Sequence, residues 1–226
     1  AYQLDLADSA SIRAAVEQVL AASGGELYAL FNNGAYGQPG AVEDLSRDML
    51  REQFETNLFG THELTNLIIP VMRRQGYGRI VQNSSILGFV AMAYRGAYNA
   101  SKFALEGLSD TLRLELAGTG IHISLVEPGP ILSRFREHSF AIFRRTIDAE
   151  SSVHREAYKA MVARFGKEGP AVPFTLGPEA VLKQVIRALE AKRPKTRYYV
   201  TVPTYLFGAF KRILPDRALD WFASKA

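Results

Sequence analysis

The sequence predicts an α/β fold, a doubly wound parallel sheet covered by helices on both faces. Three observations carry this reading. Short apolar runs alternate with helical stretches along the chain, the order expected of parallel strands joined by crossover helices. The run Gly78-Arg-Ile-Val-Gln-Asn-Ser-Ser85 has the apolar centre and turn-prone end of a buried strand. At 226 residues, 47% of them hydrophobic, the chain can bury one sizeable core and reads as one domain.

The elements follow in order. Residues 2–6 read as an opening strand. A helix over residues 9–22, capped by Ser9 or Ser11, puts Ile12, Ala15, Val16, Val19 and Leu20 on one face. A strand over 27–32 ends in Asn32-Asn33-Gly34-Ala35, a turn signal. A long helical region over 46–74 contains Asn57 and is expected to break near Pro70. The strand over 79–84 leads through Ser84-Ser85 to a helix over 95–117. The strand over 121–127 ends at Pro128-Gly129-Pro130-Ile131, a rigid bend followed by Ser133. Beyond Ser133 the pattern becomes irregular, with Phe135, Phe140, Phe143, Tyr158 and Phe165 among arginines and glutamates, so these rings are expected to be exposed. A helix over 178–191, a strand over 198–202 and a basic, apolar tail over 203–226 complete the chain.

Composition excludes several classes of function. With no cysteine there is no disulfide, thiolate nucleophile or Cys-ligated metal. His62, His122, His138 and His154 lack ligand spacing, so no metal is expected. The net charge of +4 comes from scattered residues with no nucleic-acid motif. No run reaches the roughly 18 apolar residues of a membrane span, and the chain start shows no signal-peptide pattern, so cytoplasmic residence is the default expectation. The tail mixes Tyr205, Leu206, Phe207, Phe210, Trp221 and Phe222 with Lys211, Arg212 and Arg217. Docking on the fold or on a partner subunit competes there with contact at a membrane surface.

The chemistry concentrates in Tyr98-Asn-Ala-Ser-Lys102. On a helix, positions i and i+4 share a face, so the ammonium sits near the phenol. A phenol of pKa about 10 is a poor acid or base at neutral pH. A nearby cation favours the phenolate, and a shift of about three units would need roughly 4 kcal/mol of differential stabilisation.

Taken with Ser85, Asn57 in Glu55-Thr-Asn-Leu-Phe-Gly60, and Pro128-Gly129-Pro130-Ile131, this segment resembles the short-chain dehydrogenase/reductase family from Asp5 to about Val202. The stretch from Tyr98 to Leu114 is most similar to hydroxysteroid and retinol dehydrogenases. The resemblance implies a Rossmann-type sheet and hydride transfer between NAD or NADP and a hydroxyl or carbonyl. Tyr98 would be the general acid/base, Lys102 its partner and a ribose contact, and Ser85, chosen over Ser84 by its offset from Tyr98, the holder of the substrate oxygen. Asn57 would order a proton-relaying water.

Cofactor contacts would come from Asp5, Leu6, Asn32, Asn33, Gly34, Ala35, Tyr98, Lys102, Pro128, Gly129, Ile131 and Ser133. The order Gly34-Ala35 departs from the family's Ala-Gly, though both orders keep the turn small. Asp5-Leu6 resembles the adenine-side contact at the end of the family's third strand. In a complete member of the family two strands, two helices and the Gly-rich turn would precede it, and the 226 residues alone are expected to be inactive. The residue that would discriminate NAD from NADP lies on that upstream part.

Within the single domain, residues 1–133 would form the cofactor-binding and catalytic part. Residues 134–176 would be a substrate lid, 177–202 the last helix and strand, and 203–226 the tail. An aromatic lid suits a bulky apolar alcohol or ketone such as a steroid, retinoid or long-chain carbonyl. The competing view is that the rings pack the helices. A homodimer or homotetramer is expected through the helices over 46–74 and 95–117. An acyl-chain ketoreductase, or a non-catalytic dinucleotide-binding regulatory or scaffold protein, are the alternatives.

Overall fold

The computed structural model describes residues 1–166, 169–170 and 172–224. Residues 167, 168 and 171, in the segment expected to be a lid, and 225–226, at the end of the tail, lie outside them. The centre is a four-stranded parallel sheet in the order β1 (Ala29–Asn32), β2 (Gly78–Asn83), β3 (Ile121–Glu127) and β4 (Arg197–Tyr199). Leu30 pairs with Ile80 and Ile80 with Ile123, while Val126 pairs with Tyr198.

Helices cover both faces, because strands buried on two sides need apolar partners on each. On one face Ile12 and Val16 of α1 (Ser9–Ala22) and Leu64, Ile68 and Met72 of α3 (Thr61–Gln75) pack on Ile80, Ile121 and Ile123. On the other, Val185 and Ala188 of α7 (Pro178–Glu190) pack on Val81, Val126 and Tyr198. Neighbouring residues of β2, Ile80 and Val81, thus point into opposite cores, as the strand period requires.

Four expectations are corrected. Residues 2–6 are not a strand among the described elements. Tyr2 and Leu4 are exposed, and the segment is fixed by Asp5 N–H donating to Ser11 Oγ (2.9 Å) rather than by a ladder. The cap of α1 is Asp8, whose carboxylate accepts from Ala10 N–H at 2.8 Å. Asp8 precedes the serines and reaches the open N–H groups first. Pro70 does not break the helix, since it lies inside α3. The irregularity comes earlier, where α2 (Arg47–Phe54) passes through a π-helical turn, Glu55–Gly60, into α3.

The fourth correction concerns the region after Ser133. It is helical, with α5 (Phe135–Thr146) and α6 (Arg155–Phe165); Phe143 and Tyr158 are buried, Phe140 and Phe165 half-buried, and Phe135 is exposed as expected. Phe143 and Tyr158 are 2% and 1% exposed and pack edge to face at 5.2 Å. The amphipathic spacing is diluted by arginines on the outer face, which hid the helices in the sequence.

Candidate active site

The predicted site residues gather at the C-terminal edge of the sheet, where open α/β sheets bind ligands. Asn32 ends β1, Ser85 lies two residues beyond β2, and Pro128 directly follows β3. Helix α4 (Gly96–Glu115) begins with Tyr98 and Lys102 in its first two turns, and so delivers both to that edge.

Ser85 caps the short 3₁₀ turn Ile86–Gly88, its Oγ accepting from Leu87 N–H at 3.1 Å, and its hydroxyl lies close enough to the Tyr98 phenol to favour the phenolate. Ser84 faces elsewhere: a Cβ built on Gly88 would lie 2.6 Å from Ser84 Oγ and 3.2 Å from Glu106 Oε1. The two serines therefore separate, with Ser85 on the tyrosine side. Pro128 O accepts from Ile86 N–H at 2.8 Å, which ties the Ser85 turn to the Pro-Gly-Pro bend.

Lys102 is 3% exposed; its Nζ donates to Asn83 O at 2.7 Å and stands 5.7 Å from the Tyr98 ring centroid. Desolvation lowers its pKa to about 8, with the Glu106 charge opposing. The Tyr98 phenol is pushed up to about 12 by desolvation, with the Ser85 hydroxyl opposing. The phenol is thus a protonated acid at neutral pH in this chain. This reverses the expected direction, because burial outweighs the attraction of a cation that does not touch the phenol oxygen.

Asn57 is buried in the π turn. Its Oδ1 accepts from Tyr36 N–H at 3.1 Å, while Nδ2 donates to Tyr36 O at 2.9 Å and Ser101 Oγ at 3.2 Å. It brackets the loop after β1 to the Tyr98 helix. A π turn inserts one residue into the helical ladder, and such turns concentrate at functional sites.

The residues expected on the cofactor side are placed as follows. Asn32 Nδ2 donates to Thr65 Oγ1 (2.9 Å) and Gln82 Oε1 (3.0 Å), and Asn33 Oδ1 accepts from Asn83 Nδ2 at 2.7 Å. Asn33, Gly34 and Asp5 are exposed, and Ala35 and Leu6 half-buried. Leu6 lies on Gly34, where a Cβ would come within 2.7 Å of its Cδ1, and on Gly60, where a Cβ would come within 1.8 Å of its carbonyl oxygen. Asp5 is held apart from the tyrosine group, its Oδ1 accepting from Ala7 N–H at 2.9 Å. Gly129 admits Thr201 Oγ1 to 2.1 Å of its would-be Cβ, and Ile131 bridges to Leu176. Ser133 Oγ accepts weakly from Phe135 N–H at 3.4 Å.

Three further partners adjoin these residues. Phe135 meets the Tyr98 ring edge to face at 5.3 Å and lies on Gly37, whose would-be Cβ is 2.8 Å from Phe135 Cζ. Phe207 and Phe210 of α8 (Val202–Ile213) and Leu219 of α9 (Asp216–Ser224) pack with Ile86, Leu87, Val90 and Tyr98. The tail thus docks on the fold beside the tyrosine, while Tyr205 and Trp221 stay exposed. Asn83 accepts the lysine. Phe135 and the tail rings were singled out by the sequence, whereas Asn83, which acts through its backbone carbonyl, left no mark on residue type.

The sequence profile of the short chain dehydrogenase family matches residues 1–141. The chain is 40% identical over 217 residues to the uncharacterized oxidoreductase YbbO of Escherichia coli K12, covering 96% of this chain and 74% of the relative. It is 31% identical to human 17-beta-hydroxysteroid dehydrogenase type 1, with 88% of this chain and 59% of that protein covered. Among solved structures, a short chain dehydrogenase/reductase from Burkholderia phymatum in complex with NAD superimposes with a TM-score of 0.73 at 25% identity, over 93% of this chain and 72% of that one. The chain belongs to the short-chain dehydrogenase/reductase family. It is an NAD(P)-dependent oxidoreductase with the Rossmann-type fold of that family.

Among the described residues no helix is long and apolar enough to cross a membrane, and no cluster of His, Asp or Glu could hold a metal ion.

Proposed function

We propose that the chain transfers a hydride between NAD or NADP and the hydroxyl or carbonyl carbon of an apolar substrate, a steroid, retinoid or long-chain carbonyl, with Tyr98 as general acid/base. The observation that carries this is the meeting of the Tyr98 phenol, the Ser85 hydroxyl and the buried Lys102 ammonium at one sheet edge.

The buried lysine fits a nicotinamide ribose. An ammonium has three donors, and one protein acceptor, Asn83 O, engages Lys102 among the described residues. Two N–H groups are left for hydroxyls of a ligand. Asn33 and Gly34 would approach the dinucleotide through small or exposed groups, Asp5 and Leu6 would sit on its adenine side, and Pro128, Gly129, Ile131 and Ser133 would meet its amide end. The nicotinamide supplies or accepts the hydride when bound.

The proton chemistry belongs to the chain. In reduction, the Tyr98 O–H donates to the substrate oxygen as negative charge develops there. Ser85 orients that oxygen beside the phenol. The resulting phenolate is stabilised by Ser85 and by the Lys102 charge. Asn57 holds Tyr36 and Ser101 in register with α4, and a water ordered near it would return the proton through Lys102. Oxidation runs these transfers in reverse.

Apolar selectivity is supported by the wall beside Tyr98, where Phe135, Leu87, Met92 and Phe210 leave few polar groups. The name of the 17-beta-hydroxysteroid relative points the same way. Pairing of subunits through the helices over 46–74 and 95–117 is supported on the second of these by exposed Phe103, Leu108 and Leu114 of α4. The test follows NADH and NADPH absorbance with full-length protein and a panel of steroid, retinoid, long-chain and acyl-chain carbonyls. Turnover confined to acyl-chain ketones would favour the ketoreductase alternative.

A further inference from the structure

One helical turn beyond Lys102 lies a buried acidic cluster that the proposed reaction does not use. Glu106 follows Lys102 by four residues on α4, so the two share a face. Glu127 ends β3 and is 0% exposed. The charge of each carboxyl group acts on the other. One guanidinium spans both, with Arg197 Nη2 2.9 Å from Glu106 Oε2 and Nε 3.0 Å from Glu127 Oε1. The same Nη2 is 2.7 Å from Asp110 Oδ2, which Arg113 also engages at the helix surface. Tyr199 of β4 faces the pair, with Arg212 of α8 beyond it.

The cluster is built around a proton. Two carboxylates that share one guanidinium and lie out of water oppose each other's ionisation at neutral pH. Among the described residues no aligned N–H or O–H donor reaches Glu106 Oε1 or Glu127 Oε2. A hydrogen held between the two groups satisfies both oxygens, and Arg197 and Lys102 then face the single remaining negative charge. Burial pushes Glu127 up to about 9, helped by the Glu106 charge and opposed by Arg197. Burial likewise raises Glu106.

The cluster also touches the catalytic elements from behind. Ser84, next to Ser85, and Glu106 meet beneath Gly88, where a side chain would collide with both. Glu127 directly precedes Pro128, whose carbonyl anchors the Ser85 turn. We propose that Glu106 and Glu127 hold one proton between them, and that this pair is a positioning unit that fixes the charge of Lys102 and the seat of the Ser85 turn. The proposal rests on the reading of Tyr98 and Lys102 given above.

The test uses full-length protein with isotope-labelled glutamate. Infrared spectroscopy at neutral pH should show a protonated-carboxyl C=O band that disappears as pH rises through the region of 9 and is missing from both Glu106→Gln and Glu127→Gln at neutral pH. Absence of the band from the wild type, or its survival in either variant, would overturn the shared proton. In the pH profile of turnover, Glu106→Gln should move the alkaline limb down by about one unit, because burial then acts on Lys102 unopposed. A limb that stays in place would overturn the link to Lys102. The wild-type spectrum needs no variant, and it decides the carboxyl pair even if Tyr98→Phe retains turnover and the catalytic reading fails.

Discussion

Lys102 is fastened to Asn83, its Nζ 2.7 Å from the Asn83 carbonyl oxygen, and reaches Tyr98 only through space, 5.7 Å from the ring centroid. The end of β2, and not the phenol, therefore fixes where the charge sits. An ammonium with one protein acceptor and almost no water is costly, which is why its pKa falls from 10.5 to about 8.

That cost has a defined pH window. Below pH 8 the lysine is charged in both states, and the burial penalty is fully present. Between about 8 and 10.5 the unfolded chain binds the proton more tightly, so stability rises with pH, and above that window the penalty is gone. The total is roughly 3 kcal/mol. Lys102→Met should lack this rise, so the stability gap between variant and wild type should change by about that amount across the window in urea unfolding. Parallel curves would show that the lysine is not desolvated.

Asn57→Ala would remove three hydrogen bonds and leave the half-buried Tyr36 N–H without its acceptor. An expected loss of about 1 to 3 kcal/mol follows from one unsatisfied donor plus a small cavity. The urea midpoint should fall with an unchanged slope. An unmoved midpoint would mean that the π turn holds itself.

Gly60→Ala would drive a methyl into the Leu6 carbonyl, which stands 1.8 Å from the would-be Cβ. The segment carrying Asp5 and Leu6 must then lift. KM for the dinucleotide should rise by about tenfold, while KM for the carbonyl and kcat change far less. Equal effects on both substrates would contradict a cofactor-side role for that segment.

Tyr158→Phe tests how α6 is clamped. The Tyr158 hydroxyl donates to Asp44 Oδ2 and accepts from Ala41 N–H at 2.9 Å, and Ser152 Oγ adds a 2.6 Å bond to the same carboxylate. Removing the hydroxyl leaves the Ala41 N–H and the Asp44 carboxylate each short of a partner, for a loss of about 1 to 3 kcal/mol. Limited proteolysis should cut the region of α5 and α6 sooner than in the wild type, with the sheet and α4 intact.

Much of this was legible in the sequence because its signals are local. The strands over 79–84 and 121–127 and the helix over 9–22 were readable from apolar periodicity alone, and the structure places them within a residue or two. Ser85, Tyr98 and Lys102 were readable as a set through the resemblance to the short-chain dehydrogenase/reductase family, and α4 and the turn after β2 bring them to one sheet edge. Other features depend on distant partners. Residues 2–6 looked like a strand, but extended backbone becomes a strand only beside a ladder. Burial of Phe143 and Tyr158 needed the loop around Ala41, far away in sequence. The upward shift of Tyr98 was hidden because an i+4 lysine announces a charge, whereas desolvation by the Ile86–Gly88 turn and the rings around it leaves no mark on the spacing.

The most direct measurement is single-turnover reduction of an apolar ketone by full-length protein and its Tyr98→Phe variant, each with saturating NADH or NADPH. The expected result is a loss of roughly 10² to 10⁴ in the chemical step with dinucleotide affinity retained, because the phenol hydroxyl is removed while the ring still packs on Phe135. Undiminished turnover in the variant would contradict the assignment of Tyr98 as the proton donor.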